Sequence, residues 1–159
     1  MSEQPERGGA QDFRGAVRVE YSPRRDRNAD PGEVVWAWVP FEEDHRVGKD
    51  RPLLVIGRAG ADPRDLVGLM LSSKDHAGDP GWWPVGAGPW DPEHRPSWVR
   101  LDRPLVVRCG SVRREGAALP ADVFGVVVDR AVTASRGTLT ASGAPRRGLV
   151  RRVLDRFRR

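Results

Sequence analysis

Alternation of apolar and polar residues in the middle of the chain predicts a mainly β protein. Residues 33–40 alternate with period two and are rich in Val and Trp, which is typical of a strand. Residues 52–56 and 66–72 are nearly continuous apolar runs, and each is predicted as a short strand. Three shorter segments after them are also predicted as strands, and these are residues 97–101, 104–108 and 111–115.

One helix is predicted after these strands, beginning near residues 119–122 and ending near Ala134. Pro120 suits the first turn of a helix, and the Asp122 carboxylate suits the positive end of the helix dipole. Several short strands followed by a helix indicate a small β-barrel with an appended helix. The apolar face of the predicted helix is formed by Val123, Phe124, Val127 and Val128.

The two ends of the chain differ from its middle in composition. Residues 1–30 are polar and mixed in charge, which predicts a disordered leader. Residues 135–159 predict an Arg-rich linker and a short amphipathic helix that carries Leu149, Val153 and Phe157 on one face. The predicted domain organisation is therefore a leader (1–30), a barrel domain (31–134) and a basic tail (135–159).

Charge and cysteine content limit the classes of function. The net charge is +5, but residues 134–159 carry eight Arg and one Asp, so the basicity belongs to the tail and not to the predicted barrel. A single cysteine, Cys109, allows no internal disulfide, which favours a reducing cytoplasm. The three histidines are at no metal-ligand spacing, so no metal and no cofactor are expected. No apolar run is long enough to predict a membrane span.

Three segments along the chain form an ordered set of motifs. The first, residues 31–36, reads Pro-Gly-Glu-Val-Val-Trp; the second, residues 48–56, is a Gly-x-x-Arg-Pro segment that leads into an apolar strand. The third, residues 69–73, is a strand that ends in Ser-Ser. A later strand at residues 106–113 and the predicted helix follow. In this order the segments resemble the MazF/PemK family of toxins.

The resemblance implies a fold and an activity. The fold would be a small SH3-like β-barrel that pairs as a homodimer. The activity would be that of an endoribonuclease toxin, which cleaves single-stranded RNA without a metal by attack of the 2′-hydroxyl and is restrained by a cognate antitoxin protein. Toxins that poison gyrase share this barrel, so the fold alone does not decide the chemistry.

The resemblance also indicates four candidate catalytic residues. Arg51 matches the catalytic arginine of the family, and a guanidinium can clamp a phosphate with two hydrogen bonds. Ser72 matches the strand-ending Thr or Ser, although such a residue is commonly only a turn residue. His45 lies six residues before Arg51 and is a candidate acid or base, or else an exposed loop histidine. Arg108 matches the arginine of an Arg-x-Asp pair, but Gly110 replaces the acid.

The tryptophans of residues 81–96 are candidates for stacking on unpaired RNA bases. The same tryptophans would alternatively cap the open end of the barrel as core residues, or line a groove for an antitoxin peptide. The predicted RNA-binding residues are Ser73, Lys49, Lys74, Trp82, Trp83 and Trp90.

Two other classes of function stay open from the sequence. One is a binding module with the same barrel that binds RNA or a protein such as gyrase without cleaving RNA, which the missing acid after Arg108 favours. The other is association with a membrane surface or nucleoid through the basic tail, residues 135–159.

Overall fold

Ten strands and one α-helix make up the part of the chain that this computed structural model describes, residues 9–24 and 28–143. The strands are β1 (Gln11–Asp12), β2 (Gly15–Val19), β3 (Glu33–Pro40), β4 (Gly48–Ala59), β5 (Asp65–Ser72), β6 (Trp82–Gly86), β7 (Ser97–Arg100), β8 (Leu105–Arg108), β9 (Arg113–Ala118) and β10 (Leu139–Ser142), and helix α1 is Ala121–Ala134.

The centre of the fold is an antiparallel sheet built around β4. This long strand pairs with β3 over its first half, with β2 over its last residues and with β5 on the opposite side. Strand β8 pairs with the start of β5, and β7 pairs with the end of β5. Strand β5 therefore carries two different neighbours along one edge, and its last residues lie beside the β6–β7 hairpin.

Strand pairing in the described residues does not close into a ring. The sheet runs from β1 through β8, β5, β4 and β2 to β10, with β3 and β9 branching from β4. The gap between β1 and β3 is bridged by a backbone hydrogen bond from the Ala10 N–H to the Trp38 carbonyl oxygen, 2.8 Å long. Buried Arg103 also spans it, donating to Asp12 Oδ1 at 2.7 Å and to the Pro40 carbonyl at 2.9 Å. The fold is thus mainly β with one helix, as predicted, and its strand pairings in the described residues form an open path.

Two apolar clusters cover the two faces of the sheet. On one face Leu54, Ile56 and Leu69 pack with residues of α1. On the other face Leu53, Val55 and other residues form a separate cluster. Burial on both faces explains why β4 and β5 are nearly continuous apolar runs in the sequence.

Helix α1 begins and ends where the sequence predicts. Its apolar face is buried against the sheet, and Phe124, Val127 and Val128 have no exposed surface. The Phe124 ring lies 5.1 Å from the ring of Tyr21, whose hydroxyl donates to the Leu119 carbonyl at 2.6 Å. The helix is therefore held to the sheet by its own apolar face and by the segment that follows β2.

The prediction of a disordered leader is wrong for the described part of residues 1–30. Strand β1 pairs with β8, and β2 pairs with the end of β4. A strand with one buried face needs an apolar residue only at every second position, so a largely polar segment can form one. In β2 these apolar positions are Val17 and Val19, which are both buried. The linker prediction is likewise wrong at β10, which pairs in parallel with β2. The helix predicted at 149–157 lies outside the described residues.

Two strands also contain residues for which the sequence predicts no strand. Strand β4 begins at Gly48 and ends at Ala59, so it is longer at both ends than the apolar run of residues 52–56. Strand β6 lies within the tryptophan-containing residues 81–96. In both cases the additional strand residues pair with a strand that is distant in the sequence or that lies across a hairpin. The local composition of the segment does not indicate this pairing.

We predict that Phe124→Ala lowers the free energy of unfolding by about 3–5 kcal/mol, because it deletes a fully buried ring at the centre of the helix–sheet contact. Phe124→Leu keeps most of the volume and is expected to cost under about 1.5 kcal/mol. Urea denaturation followed by circular dichroism measures both values. Equal losses for the two variants would contradict the packing described for α1.

Candidate functional site

A cleft of about 330 Å³ lies where the start of β4 meets the end of β5. The β4–β5 pairing ends at Leu53 and Met70, and Arg51 and Ser72 lie two residues beyond that pair on the two strands, where both line the cleft. The β3 residue Trp36 and the loop that follows Ser72 complete the walls. Of the predicted site residues, this cleft brings together Arg51, Ser72, Ser73, Lys49, Lys74, Trp82 and Trp90.

Arg51 is the half-buried cation of this cleft. Within residues 9–24 and 28–143, no carboxylate pairs with its guanidinium and no hydrogen bond to it is found. Burial lowers the pKa of Arg51 from its ordinary value, and the positive charge of Arg103 lowers it further. A partly desolvated cation without a counter-ion favours the binding of an anion.

The other charges of the cleft are divided between paired and unpaired groups. Arg95 donates to both carboxylate oxygens of buried Asp91, at 2.8 and 2.9 Å, and this hydrogen bonding lowers the pKa of Asp91 to about 2. Arg113 donates to Asp50 at 3.1 Å. Lys49 and Lys74 also line the cleft. Among the described residues neither lysine forms an ion pair, so with Arg51 they give the cleft a local excess of positive charge.

Ser72 is the polar centre of the cleft. Its Oγ accepts a hydrogen bond from the Lys74 backbone N–H at 3.1 Å. The same Oγ lies 3.1 Å from Nε2 of His76, within hydrogen-bonding distance. An arginine, a hydroxyl and an imidazole therefore line one small cleft.

His76 is held flat against Trp82. Their ring centroids are 3.7 Å apart and the ring planes differ by 5°. Trp98 faces Ser72 across the β5–β7 pairing, and its ring is inclined at 75° to the imidazole with the ring centroids 6.4 Å apart. The orientation of the imidazole is thus fixed by two tryptophans as well as by Ser72.

The three tryptophans predicted to stack on RNA bases have different environments. Trp90 is 3% exposed and donates its indole N–H to Ser97 Oγ at 3.0 Å. It therefore forms part of the cleft wall and offers no free ring face, so the stacking prediction is wrong for Trp90. Trp83 lies under Arg130 of α1, 3.8 Å from guanidinium to ring centroid, and does not line the cleft. Trp82 lines the cleft, with His76 stacked on its ring.

His45, predicted as a candidate acid or base, does not line this cleft, so the structure does not bring it together with Arg51. It lies in the loop between β3 and β4 and lines a separate, larger groove of about 1040 Å³. There its Nε2 is 3.4 Å from Asp12 Oδ2. The hairpin turn directs residue 45 away from the start of β4, so the short sequence separation from Arg51 does not bring the two side chains into one cleft.

Arg108, predicted as a candidate catalytic residue, is also outside the residues that line the cleft. It faces Asp65 at the far end of β5, seven residues from Ser72, or about 23 Å along an extended strand. Its guanidinium is neutralised by Asp62 at 3.0 Å and by Asp65 at 3.2 Å. The absence of an acid after Arg108 therefore has no bearing on the Arg51 cleft.

His76 is the cleft residue that sequence reasoning misses. The sequence alone indicates only a loop histidine, because it has no metal-ligand spacing and no place in the family pattern. The available signal is its position four residues after Ser72 in a short loop before a tryptophan strand. A serine and a histidine separated by three residues can meet in a turn, but no sequence rule makes that pairing specific.

Two other kinds of site are absent from the part of the chain that the structure describes. No group of three or more His, Cys, Asp or Glu side chains in this part of the chain is placed to hold a metal ion. Nor does this part contain a helix with the length and apolar character needed to cross a membrane.

Comparison with solved structures finds likenesses of low sequence identity. MazF from Deinococcus radiodurans is 23% identical, with 68% of this chain and 96% of that chain covered and a TM-score of 0.48. A MazE–MazF structure from the same organism is 21% identical, with 67% and 95% covered and a TM-score of 0.49. An endoribonuclease from a mycobacterial species is 18% identical, with 67% and 91% covered and a TM-score of 0.44.

Comparison with protein families is decisive for classification. No curated protein matches the sequence. The family described as the PemK-like, MazF-like toxin of type II toxin–antitoxin systems matches residues 30–134, which is about two thirds of the chain and includes every residue of the Arg51 cleft. The chain therefore belongs to the PemK-like, MazF-like family of type II toxins.

Proposed function

We propose that this chain is the toxin of a type II toxin–antitoxin pair and that it cleaves single-stranded RNA in the Arg51 cleft without a metal. The observation that carries the proposal is that Arg51, half-buried and without a counter-ion in the described residues, lines the same cleft as Ser72. Membership of the toxin family supports the same activity.

The chemistry of this cleavage requires few protein groups. The 2′-oxygen of the substrate attacks the adjacent phosphorus, and the bond from phosphorus to the 5′-oxygen breaks. Negative charge develops on the phosphorane, and Arg51 is placed to stabilise it with two hydrogen bonds. Ser72 places a hydroxyl beside the same phosphate, where it hydrogen-bonds a reacting oxygen. The product ends are a 2′,3′-cyclic phosphate and a 5′-hydroxyl.

Substrate binding in the proposal uses the unpaired charges of the cleft. Lys49 and Lys74 flank Arg51 and Ser72 and contact neighbouring phosphates of the RNA backbone. Ser73, which is exposed beside Ser72, is a further contact. The Arg95–Asp91 pair is already neutral and gives the cleft a rigid wall in place of another phosphate contact.

The same proposal implies that the toxin has protein partners. A toxin of this class is paired with a cognate antitoxin protein, and one of the similar solved structures contains an endoribonuclease in complex with its cognate antitoxin. The proposal includes a homodimer, an SH3-like barrel and action in the cytoplasm, where the RNA substrate is found. The toxin needs no cofactor.

We predict that Arg51→Ala reduces cleavage of a long single-stranded RNA in EDTA by about 100-fold or more, because the phosphorane loses its main electrostatic partner. Gel electrophoresis of the products measures the rate. Arg46→Ala is the matched control, since Arg46 is highly exposed in the β3–β4 loop and pairs only with Asp44 among the described residues.

The control variant is expected to cleave at the wild-type rate. Folding of all three proteins is checked by circular dichroism. Cleavage that is unchanged in Arg51→Ala would point to a contaminating nuclease, and intact RNA with all three folded proteins would favour a binding module without catalytic activity.

We predict that Arg108→Ala changes the cleavage rate by less than about threefold, because this residue is about 23 Å from Ser72 along β5 and is neutralised by two carboxylates. The same RNA assay measures it. A loss comparable with that of Arg51→Ala would show that Arg108 acts in catalysis, against its position in the structure.

A further inference from the structure

We propose that His76 is the proton acceptor of the cleavage reaction, that Ser72 relays the proton to it, and that Trp82 is the positioning residue that holds the imidazole. This inference deepens the proposed function and rests on it. Neither the family match nor the sequence pattern assigns a role to His76, and the inference comes from its contacts alone.

The hydrogen bonds of Ser72 leave one position open for substrate. A serine hydroxyl can donate one hydrogen bond and accept two. The Lys74 N–H occupies one acceptor position at 3.1 Å, and the O–H can donate to Nε2 of His76 at 3.1 Å. One acceptor position is then left on Ser72 Oγ, in the cleft that Arg51 also lines. That position suits the 2′-hydroxyl of a ribose whose phosphate is held by Arg51.

Stacking on Trp82 fixes the plane of the imidazole. With the centroids 3.7 Å apart and the planes nearly parallel, the imidazole cannot rotate out of line without losing this contact. The edge of Trp98 limits rotation on another side. Because the plane of the imidazole is fixed, Nε2 stays directed at Ser72 Oγ. This orientation is needed if His76 is to accept a proton through the Ser72 hydroxyl.

The loop that carries His76 does not need this side chain for its shape. The His76 carbonyl accepts from the Asp79 N–H at 3.0 Å, and the Asp79 carbonyl accepts from the Trp82 N–H at 3.1 Å. The Asp75 and Asp79 carboxylates accept from the N–H groups of Ala77 and Gly81, both at 2.9 Å. Since backbone and aspartate hydrogen bonds hold the turn, the imidazole is free to serve the cleft, and its replacement should leave the fold intact.

The proposed step balances in atoms and charge. As the 2′-oxygen bonds to phosphorus, its proton passes to Ser72 Oγ while the Ser72 proton passes to Nε2 of His76. The bond from phosphorus to the 5′-oxygen breaks, and the 5′-oxygen takes a proton from water. Before the step the neutral imidazole of His76 carries its proton on Nδ1. After the step Nε2 of His76 returns the proton received from Ser72 to the hydroxide that this water has become. Arg51 neutralises the phosphorane throughout.

The test is steady-state cleavage of a single-stranded RNA by wild type, His76→Ala and His94→Asn. We expect His76→Ala to lower kcat by about 100-fold or more while KM changes by less than about threefold. Free imidazole is expected to restore part of the lost rate, because the vacated face of Trp82 accepts a planar ring. His94→Asn is the matched control, since His94 is exposed and Asn tolerates its φ of 52°.

The outcomes separate this inference from the function on which it rests. RNA left intact by folded wild-type protein would overturn both. Cleavage by wild type that is lost in Arg51→Ala but unchanged in His76→Ala would overturn only the role of His76. A loss in His76→Ala that appears in KM alone, or that imidazole does not restore, would also contradict proton transfer and would indicate a structural contact.

The positioning role of Trp82 has its own test. Trp82→Leu removes the stacking surface and is expected to lower kcat by about tenfold with KM nearly unchanged. Trp82→Phe keeps an aromatic face and should recover most of the rate. If both variants instead raise KM and leave kcat unchanged, Trp82 binds RNA directly and does not act through His76.

Discussion

The register between β4 and β5 is the constraint on which the site depends. These strands are buried on both faces, so a slip by one residue would move every side chain from one apolar cluster into the other and disrupt the packing of both. Packing therefore fixes the register, and Arg51 and Ser72 lie two residues beyond its last pair, Leu53 and Met70. The polar residues of the cleft lie at the ends of the two strands, where the sheet no longer buries them, and their placement follows from packing elsewhere.

Electrostatic pairing then distinguishes Arg51 from the other arginines. Arg100 donates to Glu42 and Asp102, and Arg103 fills the gap between β1 and β3 through Asp12 and the Pro40 carbonyl. These cations have structural partners and contribute to the fold. The Arg51 side chain is half-buried and has no such partner in the described residues. A partly desolvated cation without a counter-ion is stabilised when a phosphate binds in the cleft.

The sequence predicts those parts of the molecule that depend on local pattern. Residues 33–40, the apolar cores of β4 and β5, and α1 are predicted because period and capping are read within a single element. Strands β1, β2 and β10 are missed because distant partners stabilise them. Arg51 and Ser72 are predicted through the family resemblance, whereas His76 is missed because its role depends on a turn that brings it back to Ser72 and onto Trp82.

The chemical nature of the ends produced from a mixed-sequence RNA in EDTA tests the central claim most directly. Mass spectrometry of the fragments identifies those ends whichever sequence the protein cleaves. Attack by the 2′-hydroxyl in the Arg51 cleft predicts fragments that end in a 2′,3′-cyclic phosphate and begin with a 5′-hydroxyl. Fragments with a 3′-hydroxyl and a 5′-phosphate would contradict the account, because they require water or another nucleophile in place of the substrate's own hydroxyl.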